Sequence, residues 1–294
     1  RIPRATPSRA DGIEIRFDAE HDRAPEKVVL QTSIEALPKP VFAYSIHLGD
    51  DFEGNGDGML QRGERANLYL RIKNIGEGTS FKTQANLRST SGTGVLLNDG
   101  RFELEPMKPG EEQLVRFGFE VLPDFDKDEV KLEATVYDLE LRQGFTHEER
   151  IPLYRKKAEP KELKRKVSIA PGTVLRESPA SEARIIASAP EGAEVEVVGE
   201  LDGFSRIVFD EIRQPAWVSA ESIVSERHRG KIIPSYSHLP PRVQMHLDSL
   251  VTRDDRIVLR GELLDDVGVR DAYIFAGANK VFYQSFGNGA PKQR

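Results

Sequence analysis

The sequence has no cysteine, one tryptophan and three methionines. The absence of cysteine excludes structural disulfides, thiolate zinc sites and cysteine nucleophiles. No stretch approaches the roughly 18 consecutive apolar residues of a membrane-spanning helix. The six histidines include no HExxH motif and no other pair at the spacing of metal ligands on a helix. We therefore expect no membrane span and no zinc site.

The chain also lacks an excess of positive charge: it has 42 basic and 48 acidic residues, and its formal net charge is −6. A chain of this balance lacks the positive field that nonspecific binding to nucleic acid or anionic membranes requires. The hydrophobic content of 38% and the charged content of 31% lie within the globular range. We expect a globular protein with no nucleic-acid partner.

Catalytic motifs are missing as well. There is no GxSxG element, and the glycine-bearing segment 89–94 lacks the Gly-Lys-Ser/Thr ending of a phosphate-binding loop. No serine stands in a context that pairs it with a lysine or histidine base. The sequence thus offers no catalytic residues, and whether the chain takes part in an enzyme is left open.

The pattern that is present consists of short β-type runs between glycine- and proline-bearing turns, which predicts an all-β protein. We predict an Ig-like sandwich, a small SH3-like barrel and a second, incomplete Ig-like domain with four strands. The predicted segments are a lead-in with one strand (1–40), the sandwich (41–153), a basic linker (154–166), the barrel (167–224), a second linker (225–240) and the incomplete domain (241–294).

The glycine-rich segment 53–64 has the ligand spacing of a calcium-binding loop. Counted from Glu53, oxygen-bearing side chains fall at positions 1, 3 and 5 (Glu53, Asn55 and Asp57), and Glu64 falls at position 12. Glycine allows the tight coil, and a final glutamate can supply both oxygens to a hard cation. The alternative is a glycine-rich turn between two strands with solvated acids. Calcium is the one cofactor that the sequence suggests.

The aromatic residues of the predicted barrel carry a second hypothesis. Phe204, Phe209 and Trp217 could line a groove for a peptide or glycan. A domain of this size also needs aromatic side chains for its own core, so the same residues have a purely structural interpretation.

The barrel segment resembles a bacterial SH3-type domain. The resemblance lies in Leu175-Arg176 near Pro179, in the glycine-led run 192–198 and in the closing Trp217-Val218. Ala216 replaces the glycine that usually precedes this tryptophan. The resemblance implies a small barrel and peptidoglycan as a candidate ligand.

A larger resemblance runs through all three predicted modules. Segments 54–64, 68–74, 84–88, 254–257 and 280–283 are similar to the C-terminal non-catalytic region of large bacterial S41-type carboxyl-terminal processing peptidases. In that group a PDZ module and a serine–lysine peptidase domain precede such β modules. The catalytic serine and lysine have no counterpart in this chain.

The resemblance implies an accessory region of an exported peptidase. We expect it to position the upstream peptidase and PDZ domains relative to a protein substrate, a partner or peptidoglycan, in the periplasm or another extracytoplasmic space. The alternative function is a free-standing envelope-binding or adhesive protein with no protease attached. The sequence of the complete gene distinguishes the two.

Overall fold

The computed structural model describes residues 2–15, 28–50, 54–155, 158–208, 214–247, 258–276 and 279–293. This part of the chain consists of β-strands with one short 3-10 turn and no α-helix, which confirms the all-β fold class. The chain divides into two compact units, Arg1–Phe42 with Ile46–Ser235, and Ala43–Ser45 with Tyr236–Arg294. No helix in these described ranges is long and apolar enough to cross a membrane.

The first unit begins with an antiparallel hairpin. Its strands are β1 (Arg9–Ile15) and β2 (Val28–Ile34), with Ile13 opposite Leu30. The sequence predicted one strand in this lead-in, and the structure adds a second that pairs with it.

The sandwich, which belongs to the first unit except for Ala43–Ser45, has eight strands in two antiparallel sheets. One sheet has the order β3-β4-β8-β6, and the other has the order β10-β9-β5-β7. The strands are β3 (Phe42–Gly49), β4 (Arg65–Asn74), β5 (Thr83–Ser89), β6 (Val95–Leu97), β7 (Arg101–Leu104), β8 (Glu112–Val121), β9 (Glu129–Asp138) and β10 (Gln143–Pro152).

Side-chain alternation explains the core between the two sheets. Every second residue of β9, from Val130 to Val136, is buried, as expected for a strand with one face toward the core. Strand β4 differs because both of its faces are buried: Leu68 lies on one face and Tyr69 on the other. The second face is covered because the barrel of the same unit packs against it.

The barrel is formed by one eight-stranded antiparallel sheet in the order β17-β11-β14-β15-β16-β12-β13-β18. Its core contains Ile169, Leu175, Val195, Val197 and Ile207. The strands are β11 (Lys161–Ile169), β12 (Thr173–Arg176), β13 (Ile185–Ala189), β14 (Ala193–Leu201), β15 (Phe204–Val208), β16 (Ala216–Ser219), β17 (Ile223–Val224) and β18 (Ile233–Pro234).

Two segments that the sequence assigned to linkers belong to this barrel. The basic run forms the first half of β11, where Lys164 lies 3.6 Å from Glu196 and Arg165 lies 2.9 Å from Glu200 of β14. The main chain of the run pairs with β14, so the run forms a strand instead of a solvated linker. In the second predicted linker, Ile232 enters the barrel core.

The second unit contains a three-stranded antiparallel sheet, β19 (Arg242–Leu247), β20 (Leu259–Ala276) and β21 (Asn279–Gln293). The sequence predicted four strands. Two of those predicted strands are continuous in β20, because a shift in register between Leu264 and Val269 lets the strand continue without a turn.

Buried Asn74, at the end of β4, organises the turns at one end of the sandwich. Its amide nitrogen donates to the carbonyls of Gly78 at 2.7 Å and Met107 at 2.9 Å. Its amide oxygen accepts from the N–H groups of Val41 at 3.2 Å and Gly76 at 3.0 Å. All four hydrogen-bonding positions of the side chain, two donors and two acceptor lone pairs, are therefore used on main-chain groups.

We predict that Asn74→Ala lowers the free energy of unfolding by about 2–4 kcal/mol, because it removes these bonds and leaves buried main-chain groups without partners. Chemical denaturation of the full chain measures the change. Asn86→Ala, which removes an amide with a single bond to exposed Arg101, is the control and should cost far less. Equal losses in the two variants would contradict the role assigned to Asn74.

Candidate functional site at the sandwich–barrel joint

Arg184 of the barrel connects the two modules of the first unit. Its guanidinium donates from Nη1 to the carbonyl of Ile46 in β3 and from Nη2 to Glu149 Oε1 in β10, at 2.7 Å. On the barrel side its Nε lies 3.6 Å from Glu177 Oε2. One side chain thus contacts both sheets of the sandwich. We call the contact between the two modules the joint.

The two acids around Arg184 have different electrostatic environments. Burial raises the pKa of Glu177 to about 7, against the favourable charge of Arg184. Burial also acts to raise the pKa of Glu149, but hydrogen bonds from His147 and Arg184 outweigh it and the pKa is lowered. His147 Nε2 lies 2.9 Å from Glu149 Oε2. Glu149 is therefore the carboxylate that balances the buried arginine.

His47 of β3 lies in the same joint and is 1% exposed. Its ring stacks on Tyr69 with centroids 5.5 Å apart, and neither ring nitrogen has a hydrogen-bond partner among the described residues. Burial, together with the charges of Arg184 and Arg71, lowers the pKa of His47 to about 3. The imidazole is therefore neutral at physiological pH.

The glycine-rich loop of the sandwich contacts the barrel directly. The carbonyl of Gly56 accepts a 2.9 Å hydrogen bond from Arg206 Nη1. A Cβ on Gly58 would lie 3.0 Å from the indole nitrogen of Trp217 and 3.0 Å from Cδ of Pro179. Both glycines have positive φ, +73° and +76°, so conformation and close packing favour glycine at these positions.

Trp217 is the main barrel residue beneath this loop, and it is 1% exposed. Its neighbours Ala216 and Val218 point into the barrel core, so Trp217 points to the opposite face of β16, where the sandwich loop lies. Phe204 is half-buried, and Phe209 lies outside the described residues. A ligand would reach Trp217 only if the joint opened. Of the three residues predicted to line a groove, Phe204 is therefore the one in the described part of the barrel that a ligand can reach without opening the joint.

Inside the loop, the predicted calcium ligands bind main-chain N–H groups. Glu64 Oε1 accepts from the N–H of Asn55 at 3.0 Å, and its Oε2 accepts from the N–H of Gln61 at 2.8 Å. Asp57 accepts from the N–H of Met59 at 2.9 Å and from that of Ala158 at 3.0 Å. These bonds close the loop and agree with the glycine-rich turn.

The fit to a cation is therefore partial. Among the described residues, no three His, Asp or Glu side chains are arranged to hold a metal ion, and Glu53 lies outside that part. Asp50, which the sequence analysis missed, is 2% exposed and accepts from the N–H of Gly58 at 3.0 Å. Burial raises its pKa to about 7, and the nearby carboxylates of Glu64 and Asp57 add to the shift. The calcium site stays a prediction.

Sequence patterns could not have revealed the joint itself. His47, Glu149, Glu177 and Arg184 are distributed over more than 130 residues, and no spacing rule connects them. Asp50 had a weak signal, an acid seven positions before Asp57 in a glycine-rich run. Chemically, the joint is suited to holding two modules in one geometry through ion pairs, stacking and glycine packing.

We predict that His47 makes stability fall in acid. Above pH 6.5 both folded and unfolded chains carry a neutral His47; between pH 6.5 and about 3 only the unfolded chain takes up the proton. The contribution of neutral His47 to the free energy of unfolding is therefore fully present at neutral pH. Below pH 6.5 it decreases by about 1.4 kcal/mol per pH unit. His47→Phe keeps the stacking and removes the proton uptake.

Unfolding free energies measured at about pH 7.5 and about pH 5.5 test this. The wild type should lose about 1.4 kcal/mol more than His47→Phe over this interval. Because Glu177 and Asp50 titrate with the opposite sign in both proteins, only the difference between the two profiles reports on His47. His246→Phe, at an exposed position, should leave the profile unchanged. Parallel profiles for His47→Phe and the wild type would contradict the prediction.

A calcium site at Glu53, Asn55, Asp57 and Glu64 predicts a dissociation constant of roughly 10⁻⁴ to 10⁻³ M. At about 2 mM calcium, binding then adds ~0.7–1.8 kcal/mol, which raises the melting temperature by several degrees. Magnesium should do less, because it requires a tighter octahedron. Thermal melts of the full chain with chelator, calcium or magnesium measure the shift.

Glu64→Gln should abolish the calcium shift, whereas Asp126→Asn, an exposed acid outside the loop, should preserve it. Because Glu64 also closes the loop, the variant is compared with itself with and without calcium. Identical melting temperatures with chelator, calcium and magnesium would contradict the calcium site and leave the segment as a hydrogen-bonded turn.

Comparison with known protein families identifies the barrel. Residues 171–224 match the family model of the bacterial SH3 domain, and this segment contains β12 to β17 of the barrel. No curated protein matches the chain. The chain therefore contains a bacterial SH3 domain.

Proposed function

We propose that this chain is a non-catalytic accessory region that positions an exported S41-type processing peptidase at the cell envelope. The observation that carries the proposal is the bacterial SH3 domain at residues 171–224, a module suited to an accessory role in cell-wall binding. The peptidase part of the proposal depends on the similarity of the sequence segments described above. It predicts upstream PDZ and peptidase domains in the same polypeptide and a periplasmic or other extracytoplasmic location.

The joint supports positioning as the task. A freely jointed pair of domains could hold a ligand but could not define its direction relative to a catalytic domain. Here Arg184 and the loop around Gly58 connect the sandwich to the barrel through buried contacts. The two modules therefore keep a fixed relative orientation, and a ligand bound to the barrel has a defined position relative to the sandwich.

The second candidate is a free-standing envelope-binding or adhesive protein. The bacterial SH3 domain agrees with this function equally well. The coding sequence upstream of residue 1 separates the two candidates: a serine–lysine peptidase domain preceded by a PDZ module supports the first, and any other upstream sequence supports the second.

Co-sedimentation with purified peptidoglycan sacculi tests envelope binding. We expect the full chain to sediment with sacculi, and Phe204→Ala to reduce the bound fraction because Phe204 is the half-buried aromatic of the barrel face. Tyr137→Ala removes an exposed aromatic from the sandwich and should bind as the wild type does. If the wild type does not sediment, the proposal of wall binding is wrong. If Phe204→Ala binds as well as the wild type, the barrel face around Phe204 is not the wall-binding surface.

A further inference from the structure

A cleft on the sandwich has the features of a ligand site. It encloses about 380 Å³ on the side where β6 ends and β7 crosses to the other sheet. This volume lies at the lower end of the range for small-molecule sites. Its lining is largely polar and includes Asn67, Asn98, Phe102, Glu103 and Arg116.

The amide of Asn67 is the observation that points to a ligand. Asn67 is 6% exposed, lines the cleft, and makes no side-chain hydrogen bond with any described residue. Asn67 is not among the fully buried polar atoms that lack a partner, so its amide keeps access to the cleft and is available to a ligand there. A ligand in the cleft would supply the missing partners.

The floor of the cleft leaves room beside this amide. Gly118 lies opposite Asn67 in the β4–β8 pair, and a Cβ there would come within 3.3 Å of Asn98 Nδ2 and 3.7 Å of Asn67 Oδ1. The amide of exposed Asn98 also makes no hydrogen bond with a described residue. Two amides therefore flank a position without a side chain, and each amide offers both donors and an acceptor.

Two hydrogen bonds delimit the length of the cleft. The N–H of Asn98 donates to the carbonyl of Gly118 at 2.9 Å, and Gln113 Nε2 donates to the carbonyl of Glu105 at 2.7 Å. A compact ligand fits between these two bonds. Because β7 is an edge strand and β8 pairs with β6 only through Phe119–Val121, an extended peptide is the competing ligand that the test must distinguish.

The chemistry of the lining selects a saccharide. The lining includes two acids, Asp99 and Glu103, and one arginine, Arg116, so the cleft does not favour an anion. Phe102 forms one wall, held edge-on against Phe117 at 5.2 Å between centroids. Its ring can pack against the C–H face of a pyranose, while amides and carboxylates bind hydroxyl groups.

We propose that this cleft of the sandwich binds a neutral glycan that contains N-acetylated amino sugars. An acetamido group offers one N–H and one C=O, which complement the amides of Asn67 and Asn98. The choice of an amino sugar rests on the proposed envelope function, whereas the proposal of a ligand site in the cleft is supported by the cleft residues alone. The sandwich would then provide a glycan site separate from the barrel.

The test is a calorimetric titration of the full chain with the β-1,4-linked trisaccharide of N-acetylglucosamine at millimolar concentrations. We expect binding by the wild type and a loss of about tenfold or more in affinity for Asn67→Leu. Because the Asn67 amide has no partner in the protein, Asn67→Leu should melt at the same temperature as the wild type or higher. A purely structural residue would show the reverse, a lower melting temperature.

Two further variants complete the design. Gly118→Val fills the floor of the cleft without removing a hydrogen-bonding group and should also abolish binding. Gln84→Leu removes an amide from β5, outside the cleft, and should bind as the wild type does. Absence of binding by the wild type, or equal affinity in Asn67→Leu, would overturn the proposal. Binding of a neutral extended hexapeptide in place of the trisaccharide would also overturn it.

Sedimentation with sacculi separates this proposal from the proposed function. If the wild type binds the trisaccharide but does not sediment, the cleft stands and wall association falls. If the wild type and Asn67→Leu sediment equally and neither binds the trisaccharide, wall association stands and the cleft proposal falls.

Discussion

The half-buried guanidinium of Arg184 is the contact on which the arrangement of the first unit depends. An arginine can be held partly away from water when a carboxylate and hydrogen-bond acceptors replace its hydration. Glu149 supplies the charge, and the carbonyl of Ile46 supplies a further acceptor. Because Arg184 belongs to the barrel and both partners belong to the sandwich, separating the modules would break this ion pair and this hydrogen bond. The neutral His47 beside it is a consequence of the same desolvation.

This joint changes how the bacterial SH3 domain is understood. An aromatic side chain on the surface of a small barrel is a natural place for a ligand, but Trp217 is covered by the loop that contains Gly56 and Gly58. The glycine-rich loop therefore has a packing role that is independent of calcium. If a cation does bind there, it acts on a loop that contacts the barrel, and the ion would stabilise the joint together with the sandwich.

The two proposals assign different tasks to the two modules. The barrel carries the match to the bacterial SH3 domain, on which the proposed envelope association rests. The sandwich carries the cleft, where Asn67 is buried without a partner and Gly118 leaves space next to it. A rigid joint between two binding modules would fix the distance between two ligand positions on one polymer, which raises the effective concentration at the second site.

The sequence alone determined the β-rich fold class and the bacterial SH3 segment, because alternation and turn residues are local properties. It could not determine that residues 161–166 join the barrel, since that depends on main-chain pairing with β14, about 30 residues later. Nor could it find Asn67, Asn98 and Gly118, or the group around Arg184. Those side chains meet only when strands distant in sequence pack, and tertiary structure alone decides which polar groups lose water and which keep an open space beside them.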